Sequence, residues 1–156
     1  HWAFELYTEE LTLNERREIA RDTLGQLEWA NVLKLAHYKK TYDKHNIPSR
    51  RLSLKWHQRS VDFGLGLPFN IASYGLLLHM FAQQTNMLPS TLIGDLTNVH
   101  IYNNHIDTLK NQLTLTPYES PTLELNKASN IFSYTFDDFV IKNYKSNPTL
   151  KMDISV

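Results

Sequence analysis

The residues best suited to bind a small polar ligand lie close together, between positions 58 and 70. Arg59 carries a planar guanidinium group that suits a phosphate, and Ser60 can donate a hydroxyl group beside it. Gly64 and Gly66 allow the backbone to approach a ligand closely. Asn70 presents one donor and one acceptor to an amide-like edge, although it could instead cap the helix that follows. The segment therefore predicts an anion site next to a site for a planar polar group.

The composition limits the classes of partner that the chain can have. Lys plus Arg and Asp plus Glu each number 16 among 156 residues, so the formal net charge is zero. This balance argues against nucleic-acid binding and against a polybasic membrane anchor. Cysteine is absent, which excludes disulfides and thiolate chemistry within the chain and fits a cytoplasmic protein. No metal is expected either, because the spacing of four histidines along the chain does not suit metal ligands; these are His37, His45, His57 and His79.

Three blocks of sequence resemble the thymidylate synthase family. Residues 58–80, QRSVDFGLGLPFNIASYGLLLHM, resemble the signature Q-R-S-x-D-x-x-L-G-x-P-F-N-I-A-x-Y. Residues 94–105 resemble the block G-D-x-H-[IL]-Y-x-N-H, and residues 147–156 resemble the closing P-x-[IL]-K-M-x-x-A-V. The blocks follow one another in family order, and the resemblance covers residues 51–156.

This resemblance implies an activity and a set of site residues. The activity is the reductive methylation of dUMP to dTMP by a homodimeric methyltransferase, with the co-substrate 5,10-methylenetetrahydrofolate as carbon donor and reductant. The residues that the resemblance assigns to dUMP are Arg59, Ser60, Val61, Asp62, Asn70, His100 and Tyr102. Those that it assigns to the folate are Asp62, Ser155 and Val156.

The implied roles are distinct, and several have a purely structural alternative. Arg59 and Ser60 would bind the phosphate, Asn70 the uracil edge at N3–H and O4, and the His100–Tyr102 pair the 3′-hydroxyl of deoxyribose. Asp62 would hydrogen-bond the pterin, while the last residues close over the folate. Alternatively, Asp62 forms an Asx turn, His100 is a core histidine and Tyr102 only packs.

The first seven residues, HWAFELY, alternate as a strand does and resemble the family segment that follows the nucleophilic cysteine. On this alignment His1 is the histidine beside the nucleophile, which would lie immediately before it. The chain is then the C-terminal part of a single domain, incomplete at the N-terminus, and residues 8–50 are a helical insertion at a hairpin. We therefore expect the 156-residue chain to be catalytically inactive by itself.

The elements that must position these residues indicate an α+β fold, a thymidylate synthase-like mixed sheet with a long buried central helix. A capping box at Thr12–Glu15 predicts a helix to about Asp22. Alternation predicts a strand over Arg51–His57 with Leu52, Leu54 and Trp56 facing the core. The remaining expectations are a helix over 26–44, a loop over 64–68, a helix over 70–86, a strand over 92–102, a helix over 105–115, and short strands over 122–126 and 138–144.

Two other functions remain open: a dUMP hydroxymethylase, which delivers water instead of hydride, and a non-catalytic nucleotide-binding half-domain. Arg16-Arg17 could suggest a further phosphate pair, since the family borrows two arginines from the partner subunit, but a capped helix favours a solvated face.

The chain also departs from the family pattern. Thr97-Asn98 replaces Gly-Asp, His57 replaces an aromatic residue, and Ser155 replaces an alanine.

Overall fold

A computed structural model describes residues 1–25, 29 and 38–155. Its main sheet has three strands, β1 (Ala3–Glu10), β2 (Arg50–Asp62) and β3 (Leu88–His100), in that spatial order. β1 pairs antiparallel with β2, and β2 pairs parallel with β3. The sheet is therefore mixed and, together with the helices below, confirms the α+β class.

The connection between β1 and β2 contains two helices, α1 (Leu13–Thr23) and α2 (Tyr38–Lys44). The predicted capping box begins α1, because the Glu15 amide donates to the Thr12 hydroxyl at 3.3 Å and the Thr12 amide donates to the Glu15 carboxylate at 2.8 Å. The helix predicted over 26–44 is confirmed at α2. Its residues 26–28 and 30–37 lie outside the described part of the chain.

Arg16 corrects the expectation that Arg16-Arg17 lies on a solvated face. The Arg16 side chain is buried, and its guanidinium donates to Asp43 at 2.7 Å and to the carbonyl oxygens of Ile47 and Pro48, each at 3.0 Å. A small apolar cluster of Ala20, Tyr42 and Ile47 packs close by. Arg16 is buried because it is the donor that satisfies the carbonyl groups where the chain turns back to β2.

The parallel pair β2–β3 is joined by the long helix α3 (Gly66–Gln84), as a parallel connection requires. Leu52, Leu54 and Trp56 face this helix as predicted and form the main core with Leu78 and Ala82. Trp56 also stacks on Tyr74 of α3, with ring centroids 5.3 Å apart. The alternation of β2 therefore specifies which sheet face receives the helix.

Two expectations about α3 are wrong in detail. The helix begins at Gly66, so the predicted loop over 64–68 is shorter than expected; Pro68 lies in the first turn, where a missing N–H has no consequence. Within the helix only Leu78 and Ala82 are buried, while Phe69 is 73% exposed. One face packs on the sheet, and no element in the described residues encloses the rest.

After β3 the chain forms a 3-10 helix, Asn103–His105, and then α4 (Ile106–Gln112). A second antiparallel sheet contains β4 (Thr122–Leu125) and β5 (Phe139–Lys142), as the two short predicted strands indicated. Gln83 at the end of α3 donates to the Leu125 carbonyl oxygen at 2.7 Å and so ties this sheet to the main core. Among the described residues, no helix is long and apolar enough to cross a membrane.

His57, the departure noted above, bridges the three strands on the face away from α3. Its Nε2 lies 2.6 Å from Glu5 on β1 and its Nδ1 lies 3.0 Å from Asp95 on β3. Lys55 first, and then the His57 ring, lower the pKa of Asp95 below its ordinary value. A polar bridge thus stands where the family pattern has an aromatic residue.

Candidate functional site

The predicted phosphate and sugar residues lie at the carboxyl ends of β2 and β3. The parallel register pairs Asp62 with His100 and Ser60 with Asn98, so the two sequence blocks meet at one sheet edge. Arg59 and Ser60 are exposed, and the Arg59 guanidinium has no ion pair or hydrogen bond within the described ranges. A cation that is exposed and unpaired in this part of the chain is available to an anion.

Val61 is the one buried residue of the set predicted to bind dUMP. Its side chain is fully buried at 0% exposure, between the exposed Ser60 and the half-buried Asp62. A buried isopropyl group packs in the core and cannot touch a nucleotide, so Val61 could reach a ligand only through its backbone.

Asn70 is held by a relay of hydrogen bonds that begins in the core. Trp56 Nε1 donates to Gln58 Oε1 at 3.2 Å, and Gln58 Nε2 donates to Asn70 Oδ1 at 3.0 Å. The same Gln58 Nε2 donates to the Ser60 carbonyl oxygen, also at 3.0 Å. Because α3 begins four residues earlier, Asn70 does not cap the helix, and its Nδ2 group has no hydrogen bond among the described residues.

Gln58 was not singled out from the sequence, although it opens the block of residues 58–80. The structure shows that it joins the strand that carries Arg59 and Ser60 to the helix that carries Asn70. Its side chain is 5% exposed. Because the Gln58 amide oxygen accepts one hydrogen bond and its nitrogen donates two, the amide can adopt only one orientation. The bond from Gln58 Nε2 to Asn70 Oδ1 then determines how the Asn70 amide is oriented.

A pocket of about 360 Å³ lies between the start of β1 and the start of α3. Its lining is formed by His1, Phe4, Asn70, Ser73, Tyr74 and Leu77. The His1 ring stacks obliquely on Tyr74, with centroids 5.3 Å apart. The residue nearest the predicted nucleophile and the residue predicted to read the pyrimidine therefore share one cavity.

A larger concavity of about 570 Å³ lies between Phe69, α4 and residues 144–152. None of the predicted ligand residues lines it. Since volume alone does not identify chemistry, the smaller pocket, which Asn70 lines, is the better candidate for a ligand site.

Asp62 forms the Asx turn that was the structural alternative. Its Oδ1 accepts the Gly64 amide at 3.0 Å and lies 3.4 Å from the Leu65 amide. These bonds use one oxygen and shape the loop before α3, which leaves Oδ2 for another partner. The turn and a ligand role are compatible in this geometry.

His100 and Tyr102 lie next to each other, with their rings edge to face at 5.2 Å. His100 is half-buried, and its Nδ1 lies 3.3 Å from the Asn98 carbonyl oxygen. The alternative of a fully buried core histidine does not hold for His100. The fully buried histidine of this region is instead His105, which is 0% exposed and for which the sequence predicted no role.

The C-terminal segment approaches the same loop. His105 Nε2 lies 2.7 Å from the Asp153 carbonyl oxygen, and its Nδ1 lies 3.9 Å from Asp62 Oδ1. The Ser155 hydroxyl donates to Asn104 at 2.9 Å. Val156 lies outside the described residues, so its predicted role remains a prediction.

The expectation that the chain binds no metal can be examined only for the residues that the structure describes. No group of three or more histidine, aspartate or glutamate side chains there could hold a metal ion.

Comparison with known proteins gives this arrangement a family. The model of the thymidylate synthase family matches residues 21–156, and the chain therefore belongs to the thymidylate synthase family. The match begins inside the predicted insertion and does not include residues 1–7, so the alignment of HWAFELY remains a prediction.

Curated relatives agree with this family. A thymidylate synthase of Corynebacterium aurimucosum is 48% identical over 106 residues, 68% of this chain and 40% of the relative. One of Malacoplasma penetrans is 49% identical over 106 residues, 67% of this chain and 37% of the relative. A bifunctional dihydrofolate reductase-thymidylate synthase of Plasmodium chabaudi is 47% identical over 106 residues, 67% of this chain and 18% of the relative. The chain thus spans at most 40% of the length of these relatives.

Proposed function

We propose that this chain supplies the dUMP site and part of the folate site of a thymidylate synthase. The reaction is the reductive methylation of dUMP to dTMP with 5,10-methylenetetrahydrofolate. The observation that carries the proposal is the Gln58 amide, which bonds the Ser60 carbonyl oxygen and the Asn70 side chain at once. The family match supports it, and these relatives lend no support to a hydroxymethylase.

Each residue contributes through its own chemistry. Arg59 forms charge-assisted bonds to the phosphate, with the Ser60 hydroxyl beside it. Asn70 donates from Nδ2 to uracil O4 and accepts from N3–H, a pairing that its bond from Gln58 favours. His100 and Tyr102 bind the 3′-hydroxyl of the sugar, and Asp62 Oδ2 binds the pterin.

The nucleophile is a cysteine immediately before His1. The register of β1 and β2, in which Ala3 pairs with His57 and Phe4 with Trp56, supports this position. Continued by two positions beyond Ala3, this register sets His1 opposite Arg59, and a third position sets the preceding residue opposite Ser60. A thiolate there would attack C6 of dUMP, and the nearby Arg59 cation would help to keep it deprotonated.

Folate, when bound, supplies both the carbon and the hydride, and it leaves as dihydrofolate. Asn70 hydrogen-bonds O4 while negative charge develops on it after attack at C6. Asp62 and the final residues orient the pterin against C5.

The active form is a homodimer in the cytoplasm, as the family resemblance implies. The edge strand β1 exposes apolar side chains on both of its faces, Phe4 at 44% and Tyr7 at 42%, and this supports a partner along this edge of the sheet. The proposed insertion of residues 8–50 at the hairpin between β1 and β2 overlaps both strand ends, because Thr8, Glu9 and Glu10 still pair with β2. The helices that support it lie between the paired ends Glu10 and Arg50.

The first experiment is a dUMP titration of the chain and its Arg59→Ala variant, followed by nuclear magnetic resonance. The loss of charge-assisted phosphate bonds should weaken binding about tenfold to a hundredfold. Arg21→Ala is the matched control, since Arg21 is an exposed arginine on α1 whose ion pair within the described part of the chain is with its neighbour Asp22. Equal affinities of the Arg59 variant and the parent chain would refute the phosphate role.

A second experiment tests the nucleophile. Tritium release from [5-³H]dUMP with methylenetetrahydrofolate should be absent for the 156-residue chain, which contains no cysteine. Detectable dTMP formation by this chain would show that the nucleophile has been assigned wrongly.

A further inference from the structure

The antiparallel pair β1–β2 has no tight turn to set its register. The connection between the two strands contains α1 and α2, and the paired ends Glu10 and Arg50 are 40 residues apart along the chain. A tight turn fixes which residues lie opposite one another. A long connection is compatible with several registers, because the free energy of closing it depends only weakly on its length. Another feature must therefore select the register.

The side chains of β1 select the register only weakly. No residue of β1 is fully buried, and apolar side chains lie on both faces, with Phe4 and Leu6 towards α3 and Tyr7 on the other side. A slip by one residue would exchange the two faces and so replace one apolar face by another. Glu5 also contacts His57, but the Glu5 carboxylate is exposed, and exposed ion pairs contribute little to stability.

Arg50 binds one particular residue of β1. Its Nε donates to Thr8 Oγ1 at 2.8 Å, and its Nη2 donates to the Thr8 carbonyl oxygen at 3.1 Å. Its Nη1 lies 3.3 Å from Glu10. The planar fork of a guanidinium suits two acceptors on one residue. Neither neighbour of Thr8 offers the same two acceptors, because Tyr7 carries its hydroxyl at the far end of a ring and Glu9 has none.

The position of Thr8 in the strand pair explains why this contact depends on the register. Glu10 pairs with Arg50 and Thr8 pairs with Leu52, so Thr8 lies diagonally across from Arg50 on the same face of the sheet. Both bonds to Thr8 are partly buried, whereas the Glu10 contact is exposed. A slip by one residue would break both partly buried bonds at once.

We propose that Arg50 is a positioning residue that fixes the register of β1 on β2 through Thr8. Its consequence for catalysis rests on the proposed function, in which the nucleophile immediately precedes His1. A slip by one residue would move the start of β1 by about 3.4 Å and turn the nucleophile to the other face of the sheet. A displacement of about 1 Å can already slow a reaction about a hundredfold. Arg50 therefore acts on the chemistry from the opposite end of the strand.

The absence of cysteine allows disulfide trapping to report the register. Glu5 lies opposite Lys55, so Glu5→Cys with Lys55→Cys forms the disulfide of the observed register. A slip by one residue would bring either Phe4 or Leu6 opposite Lys55. Phe4→Cys or Leu6→Cys, each with Lys55→Cys, therefore traps a slipped register. In the observed register the Cβ atoms of these slipped pairs point to opposite faces and cannot be bridged.

Two substitutions remove the contact from its two sides. Thr8→Val keeps the shape of the side chain and removes the hydroxyl acceptor, while Arg50→Met removes every donor. The slipped pairs should oxidise about tenfold faster in Thr8→Val than in the parent chain, and faster still in Arg50→Met, because bonds from a charged donor are lost. Oxidation of the slipped pairs at the parent rate in both variants would overturn the proposal.

Thr8→Ser and Glu10→Gln are the matched controls. Thr8→Ser keeps the hydroxyl acceptor, and Glu10→Gln alters only the exposed contact with Arg50. Both should leave the oxidation rates of the slipped pairs within about twofold of the parent chain. If Glu10→Gln accelerates them as much as Thr8→Val does, the exposed ion pair selects the register and the role of Thr8 is wrong.

The observed pair Glu5→Cys with Lys55→Cys distinguishes a slip from a loss of pairing. A slip slows oxidation of this pair and accelerates oxidation of the slipped pairs. Slower oxidation of the observed pair without faster oxidation of the slipped pairs would show fraying of β1 and would contradict the register role. Circular dichroism shows whether each variant folds, and if Arg50→Met does not, the milder Thr8→Val decides the outcome.

A separate measurement connects the register to the nucleophile. A cysteine added immediately before His1 should form a disulfide with Ser60→Cys in the otherwise unchanged chain, and Arg50→Met should slow this oxidation about tenfold. No disulfide in the chain that keeps Arg50 would overturn the proposed position of the nucleophile. The Lys55 pairs contain neither the added cysteine nor a ligand, so they would still decide whether Arg50 fixes the register.

Discussion

The relay through Gln58 predicts that one substitution reverses the base preference of the site. Gln58 Nε2 donates to Asn70 Oδ1, which fixes Oδ1 on one side and Nδ2 on the other. Gln58→Glu keeps the shape and the acceptor for Trp56 Nε1 but replaces the donor by a carboxylate oxygen. The Asn70 carboxamide should then rotate so that Nδ2 faces Glu at position 58.

The size of the effect follows from the two bonds to the base. After rotation, Asn70 presents an acceptor to position 4 of the pyrimidine and a donor to N3, a pattern that matches cytosine and opposes uracil. Two mismatched polar contacts in a partly buried site cost about 2–3 kcal/mol, so dUMP should bind roughly 30- to 150-fold more weakly. The affinity for dCMP should rise.

The assay compares dUMP and dCMP titrations of the parent chain, Gln58→Glu and a control, with the Asn70 side-chain amide signals as a direct readout of rotation. Gln112→Glu adds the same charge on the exposed end of α4 and should change neither affinity. If Gln58→Glu retains the parent preference for dUMP, the relay does not orient Asn70 and the reasoning is wrong.

Three further predictions concern stability. Arg16→Met removes the buried donor of three hydrogen bonds and should lower the free energy of unfolding by about 2–4 kcal/mol in urea titrations. Gly94→Ala places a Cβ atom 2.6 Å from the Trp56 ring and should cost about 1–3 kcal/mol in the same measurement. The Thr12 amide, then its hydroxyl, then Arg51 lower the pKa of Glu15 from 4.5 to about 2. Its carboxylate therefore stabilises the fold above about pH 4.5, and this contribution is lost as the pH falls towards 2, so Glu15→Gln should flatten the acid limb of stability against pH.

Matched control variants show whether a loss of stability comes from the named contact or from any substitution in the same element. Arg21→Met changes an exposed arginine of the same helix and should leave stability within about 0.5 kcal/mol of the parent. Gly25→Ala is the control for Gly94, because no atom of the described residues, its chain neighbours aside, lies within 4 Å of a Cβ added there. Equal losses in a variant and its control would contradict the corresponding contact, and an acid limb that is unchanged in Glu15→Gln would contradict the capping-box origin of the pKa shift.

Local patterns predicted much of the fold because their causes are local. The Thr12–Glu15 capping box begins α1 through bonds that span only three residues. The alternation over Leu52, Leu54 and Trp56 marks the face of β2 that packs on α3. The start of α3 was misjudged because Gly66 and Pro68 look like loop residues, although a proline in the first turn of a helix has no hydrogen bond to lose.

The sequence by itself determined the α+β class, the order of the elements and the residue types gathered around positions 59–70 and 100–102. Only the tertiary structure decided that Arg16 is buried, that Gln58 orients Asn70, and that His105 reaches a carbonyl group 48 residues away. The physical reason is that periodicity and capping act over a few residues. The orientation of an amide or an imidazole, by contrast, is set by partners that only the folded chain brings together.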